Sequence, residues 1–321
     1  MKSNSSLTLL FGVLLLLLIG AVSKISSQKA GIAAYRIVGY QPDWESSNTL
    51  RYDKFTHLNY AFLEVNADGS LRTNSMKLSR MQSVIASAHR AGVKVLISVG
   101  GAADQALTQA ALNAREALIL NIEKFANQYG FDGIDIDWEG PQNAAEAKAY
   151  LALVQKLYSD LHPRGQLVTT AIARWLGDFI PNAAFDSLDF VNIMSYDDEC
   201  TTANNYNHSS YAKAESDLKY FFTKGLPASK AVIGVPFYGY DLAGCKAYKG
   251  VSYKDIVHID PTAMNKDSSN GVNYNGLATM RQKTLLAKKS ASGIMIWQIA
   301  MDTSDETSLL SAIYDTFGVL K

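Results

Sequence analysis

The densest chemistry in the chain lies in nine consecutive residues, Phe131-Asp132-Gly133-Ile134-Asp135-Ile136-Asp137-Trp138-Glu139. Asp135, Asp137 and Glu139 are spaced two apart. In an extended strand their side chains leave one face, and Ile134, Ile136 and Trp138 leave the other. A rise of about 3.3 Å per residue separates neighbouring carboxylates by roughly 6–7 Å at Cα. Three ionised carboxylates in a low-dielectric row repel one another, so at least one proton is expected to be retained or shared. A carboxyl group whose pKa is raised in this way suits a general acid working near neutrality. The same spacing has two blander readings: a solvated edge strand with its acids on the wet side, and a divalent-cation site, since hard cations favour carboxylates. The strongly apolar opposite face argues against the edge strand. Five scattered histidines and two cysteines, without HExxH or CxxC, disfavour a metal site built on those side chains, so no metal is expected.

Such a row needs a scaffold, and the surrounding pattern supplies one. Eight runs rich in Val, Ile and aromatics read as strands: Arg36–Gln41, Phe55–Val65, Lys94–Gly101, Gly130–Glu139, Gln166–Arg174, Phe190–Asp197, Ala231–Tyr240 and Gly293–Ala300. Several are apolar almost throughout, as in parallel strands covered on both faces. Helical periodicity marks Met76–Ala91, Ala114–Tyr129, Ala144–Leu161, Tyr211–Lys224, Ala278–Lys289 and Ser308–Phe317. In Ala144–Leu161 the expected apolar stripe is Ala147, Leu151, Val154, Tyr158 and Leu161. Eight strands with intervening helices predict an α/β fold, a single-domain (β/α)8 TIM barrel spanning residues 35–321. An open doubly wound sheet is the alternative, weakened by the lack of GxGxxG after the first strand. Chemistry in such barrels gathers at the C-terminal ends of strands. Polar residues cluster there: Ser98-Val99-Gly100-Gly101 on the third strand, Asp135, Asp137 and Glu139 on the fourth, Tyr196-Asp197-Asp198 on the sixth and Trp297 on the eighth.

These motifs together resemble glycoside hydrolase family 18, which comprises chitinases, endo-β-N-acetylglucosaminidases and inactive chitinase-like lectins. Asp132 through Glu139 matches its DxxDxDxE signature. Ser98-Val99-Gly100-Gly101 is similar to its SxGG, and Met194-Ser195-Tyr196-Asp197 to its MxYD. Gly293-Ile294-Met295-Ile296-Trp297 resembles the segment that ends in a substrate-floor tryptophan. The resemblance implies a substrate-assisted retaining mechanism, a known exception to the two-carboxylate scheme. Glu139 would be the general acid and later the base, with Asp137 orienting the substrate acetamido group. Asp135 would share a proton with Asp137, and Tyr196 would donate its hydroxyl to the acetamido oxygen. Trp297 would form the floor, Asp197 would bond sugar hydroxyls, and Tyr40 and Ser98 would support Asp135. Gly101 and Met194 join the substrate-binding set by the same motifs, and Tyr238 as an aromatic ring on the seventh strand, while Asp132 is read as structural. Of Trp44, Tyr60, Phe62, Trp175 and Tyr238, two or three are expected to stack on sugar faces. No cofactor is implied. The implied partner is chitin or another N-acetylglucosamine oligosaccharide, with no stable protein partner.

The sequence departs from the family pattern in two places: Gly140-Pro141 follows Glu139 where Tyr-Pro is common, and Tyr240 stands where an arginine often does. The stretch of about 50 residues between Tyr240 and Gly293 reads as too short for the family's α+β insertion domain. A shallow, open cleft and endo action are therefore expected.

The 321 residues carry 30 basic and 30 acidic groups, with 48% hydrophobic residues. That balance disfavours disorder and a nucleic-acid partner. Lys2 precedes the apolar run Leu7–Val22, short of the roughly 20 residues of a spanning helix. Small Ala21 and Ser23 follow, so residues 1–23 read as an export signal, with an uncleaved anchor as the alternative, and 24–34 as a short linker. In an exported protein Cys200 and Cys245 are candidates for a disulfide between the loops after the sixth and seventh strands. Asn207-His208-Ser209 is an N-glycosylation sequon on the first of these loops.

Overall fold

The computed structural model describes residues 35–45, 50–102, 104–201, 206–241 and 249–318. The expected signal, the linker and Cys245 lie outside them. Eight parallel strands pair in chain order: β1 (Arg36–Pro42), β2 (His57–Val65), β3 (Lys94–Gly101), β4 (Gly133–Trp138), β5 (Leu167–Ile172), β6 (Phe190–Ile193), β7 (Ala231–Pro236) and β8 (Gly293–Trp297). β8 pairs with β1, so the sheet closes into a single-domain (β/α)8 barrel. The surrounding helices are α1 (Leu78–Arg90), α2 (Gln105–Asn113), α3 (Arg115–Tyr129), α4 (Ala144–Leu161), α5 (Tyr211–Thr223), α6 (Tyr253–Ile259), α7 (Leu277–Ser290) and α8 (Leu309–Gly318). Between β5 and β6 the chain makes only 3₁₀ turns, over Arg174–Phe179 and Asn182–Ser187.

Strand alternation sorts the core into two layers. Outward residues such as Ile134, Ile136, Val168 and Ile233 pack beneath the helices, while Val38, Tyr40, Ala171, Met194, Tyr196 and Met295 fill the lumen. Ile134 and Ile136 are fully buried. At about 1.5–3 kcal/mol per large apolar side chain, they anchor the strand that turns the acids inward.

Three features differ from the sequence expectation. α2 has no long apolar stripe to announce it. Its start is set by Asp104, whose carboxylate accepts the Ala106 and Leu107 amides. On α4 the buried face is Ala149, Tyr150, Leu153, Val154, Leu157 and Leu161. Ala147, Leu151 and Tyr158 of the expected stripe are only half-buried. The helix is apolar over a wide arc, so a stripe rotated by part of a turn fits the sequence equally well. The stretch before β8 also holds more than one helix. Strands Tyr238–Asp241, Lys249–Ser252, Ser268–Ser269 and Val272–Asn273 form an antiparallel sheet beside α6. A reduced α+β unit therefore stands where none was expected. Its strands of two to four residues are too short to leave a periodic signal.

Where β3 passes β4 the wall leaves no space for a side chain. Gly100 has φ +109°, and a Cβ there would lie 2.4 Å from the Asp137 carbonyl oxygen. Gly101, at φ +105°, packs on the Phe62 ring in the same manner. These contacts make the double glycine a requirement of the barrel wall. Gly100→Ala is expected to lower stability by about 1–3 kcal/mol or more through backbone strain and the clash together, read as an earlier urea midpoint.

Candidate active site

The register of β3, β4 and β5 sets Ser98, Asp135 and Thr169 side by side. All three point into the lumen, and they bond. Asp135 accepts Ser98 Oγ at 2.8 Å, Thr169 Oγ1 at 2.5 Å, Tyr40 Oη at 2.6 Å and, more weakly, Asn192 Nδ2 at 3.4 Å. Burial pushes its carboxyl pKa up, and the four donors pull against that. Asp137 is buried without such help: its Oδ1 has no hydrogen-bond partner. Burial, then the charges of Asp135 and Glu139, hold its pKa well above the usual carboxylate range. Of the three acids, Asp137 therefore has the strongest physical reason to hold a proton. Both Asp135 oxygens accept hydrogen bonds from donors on other strands.

Glu139 stands at the mouth of the row, partly exposed, and burial followed by the charge of Asp197 raises its pKa. Tyr196 lies 5% exposed beside it, and its hydroxyl reaches only Met295 Sδ, at 3.9 Å. Burial and the surrounding carboxylates keep that phenol well above its ordinary pKa, so it remains a neutral O–H donor. Sulfur is a weak acceptor, which leaves the hydroxyl available to a stronger one. Gly234 makes room for this ring: a Cβ there would meet Tyr196 Cε1 at 2.9 Å.

These groups open into a cleft of about 710 Å³. Trp297 forms its base, stacked on Phe62 at 5.7 Å and edge-on to Tyr40 at 5.6 Å. Trp44 and Trp175 stand on the rim, each more than half exposed. Gly101, Met194 and Asp197 also line it. A second cavity of about 290 Å³, lined by Gln105, Gln109, Trp138 and Gln142, meets the first at Glu139 and Asp104. None of the described residues of the small antiparallel sheet lines the main cleft.

Two residues lie elsewhere than their expected sugar contacts require. Tyr238 is 7% exposed and off the cleft wall, its hydroxyl donated to Asp197 Oδ1 at 2.6 Å. Tyr60 is fully buried against Asp43. Ser98, by contrast, is fully buried beneath Asp135 and donates to it, the supporting place expected of it. Of the five candidate stacking rings, Trp44, Phe62 and Trp175 reach the cleft. Asp132 accepts the Val95 amide at 2.7 Å and lies 2.8 Å from His89 Nε2, at the opposite end of β4. Cys200 is disulfide-bonded. Thr169, Asn192, Asp104, Gly234 and His208 were not legible as site residues. For Thr169 and Asn192 a signal existed: polar residues inside the apolar runs Leu167–Ile172 and Phe190–Ile193.

A parallel barrel that carries a row of acids on one strand, facing a cleft lined by aromatic rings, fits the glycoside hydrolase class. The profile of the glycosyl hydrolases family 18 matches residues 36–302, and the chain belongs to that family. It is 24% identical to Chitinase 1 of Aphanocladium album over 83% of this chain and 80% of that one. It is 26% identical to a chitinase-like effector of Moniliophthora roreri, over 80% and 71%. The crystal structure of a chitinase from Bacteroides thetaiotaomicron superposes with a TM-score of 0.80 at 32% identity, covering 88% of this chain and 96% of that one.

The raised pKa of Asp137 has a consequence for stability. The folded-state pKa of Asp137 exceeds its unfolded value, so folding takes up a proton. The stability it contributes is full below about pH 4 and drains as pH rises toward the folded-state value. Asp137→Asn removes this titration. The variant is expected to melt at least about 2–4 °C above the unsubstituted protein at pH 7, with the gap closing near pH 3.5. Thermal denaturation across that range checks it.

Proposed function

We propose that the protein is an exported, endo-acting chitinase that hydrolyses β-1,4-linked N-acetylglucosamine polymers with retention of configuration. The observation that carries the reading is the pairing of Glu139, raised in pKa at the cleft, with Asp137, whose buried carboxyl oxygen has no partner until a donor arrives. An acetamido N–H is such a donor. When it reaches Asp137, ionisation of that carboxyl becomes favourable and the proton of the row passes to Glu139. Glu139 then protonates the glycosidic oxygen as the acetamido oxygen attacks C1, and the C1–O bond breaks to leave an oxazolinium ring. Tyr196 Oη donates to the acetamido oxygen and fixes its approach. Asp137, now a carboxylate, holds the ring N–H and balances its positive charge. Water then attacks C1 and gives its proton to Glu139 as the ring C1–O bond breaks and the acetamido group is restored. Two inversions at one carbon give net retention.

Trp297 as floor, with Trp44 and Trp175 at the rim, suits a chain of pyranose faces. The absence of the small sheet from the cleft lining, among the described residues, favours entry along the length of a polymer and thus endo action. Export is supported by the apolar run Leu7–Val22 and by the disulfide at Cys200, which an oxidising compartment preserves.

Hydrolysis of N-acetylated chito-oligosaccharides by residues 24–321 tests the reading. Glu139→Gln is expected to lower kcat by about 10²–10⁴-fold, the usual worth of a general acid, without lowering the melting temperature. Tight oligosaccharide binding without turnover in the unsubstituted protein would instead assign the chain to the carbohydrate-binding members of the family. Cleavage of N-glycan chitobiose cores but not of chito-oligomers would assign endo-β-N-acetylglucosaminidase activity.

A further inference from the structure

We propose that His208 is the positioning residue for Asp197, donating Nδ1–H to its carboxylate and so fixing the oxygens that face the sugar across from Glu139. Its effect on rate rests on the hydrolase reading; the hydrogen bond does not.

His208 is 1% exposed, on the loop between β6 and α5. Its Nδ1 lies 3.1 Å from Asp197 Oδ1, the oxygen that also accepts Tyr238 Oη at 2.6 Å. The ring is enclosed by aromatics, 5.2 Å from Tyr238 and 4.8 Å from Tyr240 between centroids. Its Nε2 is buried with no hydrogen-bond partner. The Asp197 amide N–H points at the same Nδ1 from 3.3 Å, so the two contacts compete for one atom. If Nδ1 were the acceptor, its lone pair would face a carboxylate oxygen and a buried Nε2–H would go unpaired. If Nδ1 carries the hydrogen, a charge-assisted bond forms and only a lone pair is left bare at Nε2. Charge-assisted bonds are roughly twice as strong as neutral ones, and orphaned N–H groups are the rarer defect. The geometry therefore selects the Nδ1–H tautomer.

The loop is held as if this placement mattered. Ser209 donates Oγ to the Ser195 carbonyl at 3.1 Å. The Ser209 carbonyl accepts Lys283 Nζ at 2.7 Å and Asn275 Nδ2 at 2.8 Å. Lys283 is fully buried and also donates to Ser209 Oγ and Asn275 Oδ1, both at 2.7 Å, so all three of its N–H bonds find acceptors. Burying an ammonium group costs several kcal/mol when it is not so satisfied. Asp197 itself has φ +56°, a left-handed conformation that non-glycine residues adopt only when the surroundings hold it. The titratable groups at this corner are Glu139, Tyr196, Tyr238 and Tyr240, with Asp198 and its partner Lys213 on the outer side.

Two variants separate hydrogen bonding from packing. The amide nitrogen of His208→Asn falls near Nδ1, and that of His208→Gln near Nε2. On N-acetyl chito-oligosaccharides, His208→Asn is expected to keep kcat within about threefold, and His208→Gln to lose about 10–100-fold at a similar melting temperature, the scale of a misplaced group. The alkaline limb of the His208→Gln pH–rate profile should move to lower pH, because a displaced Asp197 no longer raises the Glu139 pKa. Equal losses in both variants, or none in His208→Gln, overturn the proposal. Long-range ¹⁵N–¹H NMR of ¹⁵N-histidine-labelled protein is the readout independent of activity. A resonance of the Nδ1–H tautomer that vanishes in His208→Asn supports the assignment, and the Nε2–H tautomer overturns it. An inactive unsubstituted protein would sink the hydrolase reading, and the tautomer would still decide the role of His208.

Discussion

Burying three carboxylates in one barrel lumen is the constraint on which the rest of this structure depends. Each charge taken from water must be matched by donors, balanced by a cation or neutralised by a proton. The described residues of the site show a division of labour among these remedies. Asp135 receives three hydroxyls and an amide. Asp137 receives none on its buried oxygen, and burial with its acidic neighbours favours the protonated form. Glu139 keeps one edge in solvent. The three residues are chemically similar and two apart in sequence. Their different states come from neighbours on other strands.

That division explains which parts of the site are legible in the sequence. The period of two that places Asp135, Asp137 and Glu139 on one face is a property of a single strand, and so is the apolar face behind them. The eight strand runs are legible for the same local reason, and α4 has the expected limits. The donors to Asp135 are set by the register between strands, which the sequence of one strand does not encode. Thr169 and Asn192 stand out only as polar residues in greasy surroundings. His208 meets Asp197 through the path of a loop, and Tyr238 faces Asp197 because the chain turns from β7 into the antiparallel sheet. Neither contact has a periodic signature. The small sheet itself was missed because strands of two to four residues do not establish a period.

The glycines show how sterics and electrostatics meet in this fold. Gly100 lets β3 approach the Asp137 carbonyl, and Gly234 opens the space that the Tyr196 ring occupies. A methyl group at either position would move a group that the proposed chemistry needs to within fractions of an ångström. Backbone close approach in this barrel therefore serves the site as directly as the acids do.

The four tryptophans of the chain are Trp44, Trp138, Trp175 and Trp297. Three line the main cleft and Trp138 lines the cavity beside it. Three of the four indoles thus stand in walls that an occupant of the main cleft would touch, while Trp138 is buried against Tyr150 of α4. The molecule carries its own optical probe, placed by the architecture where occupancy changes the surroundings of the chromophore. A titration followed by intrinsic fluorescence would report on the cleft without a label.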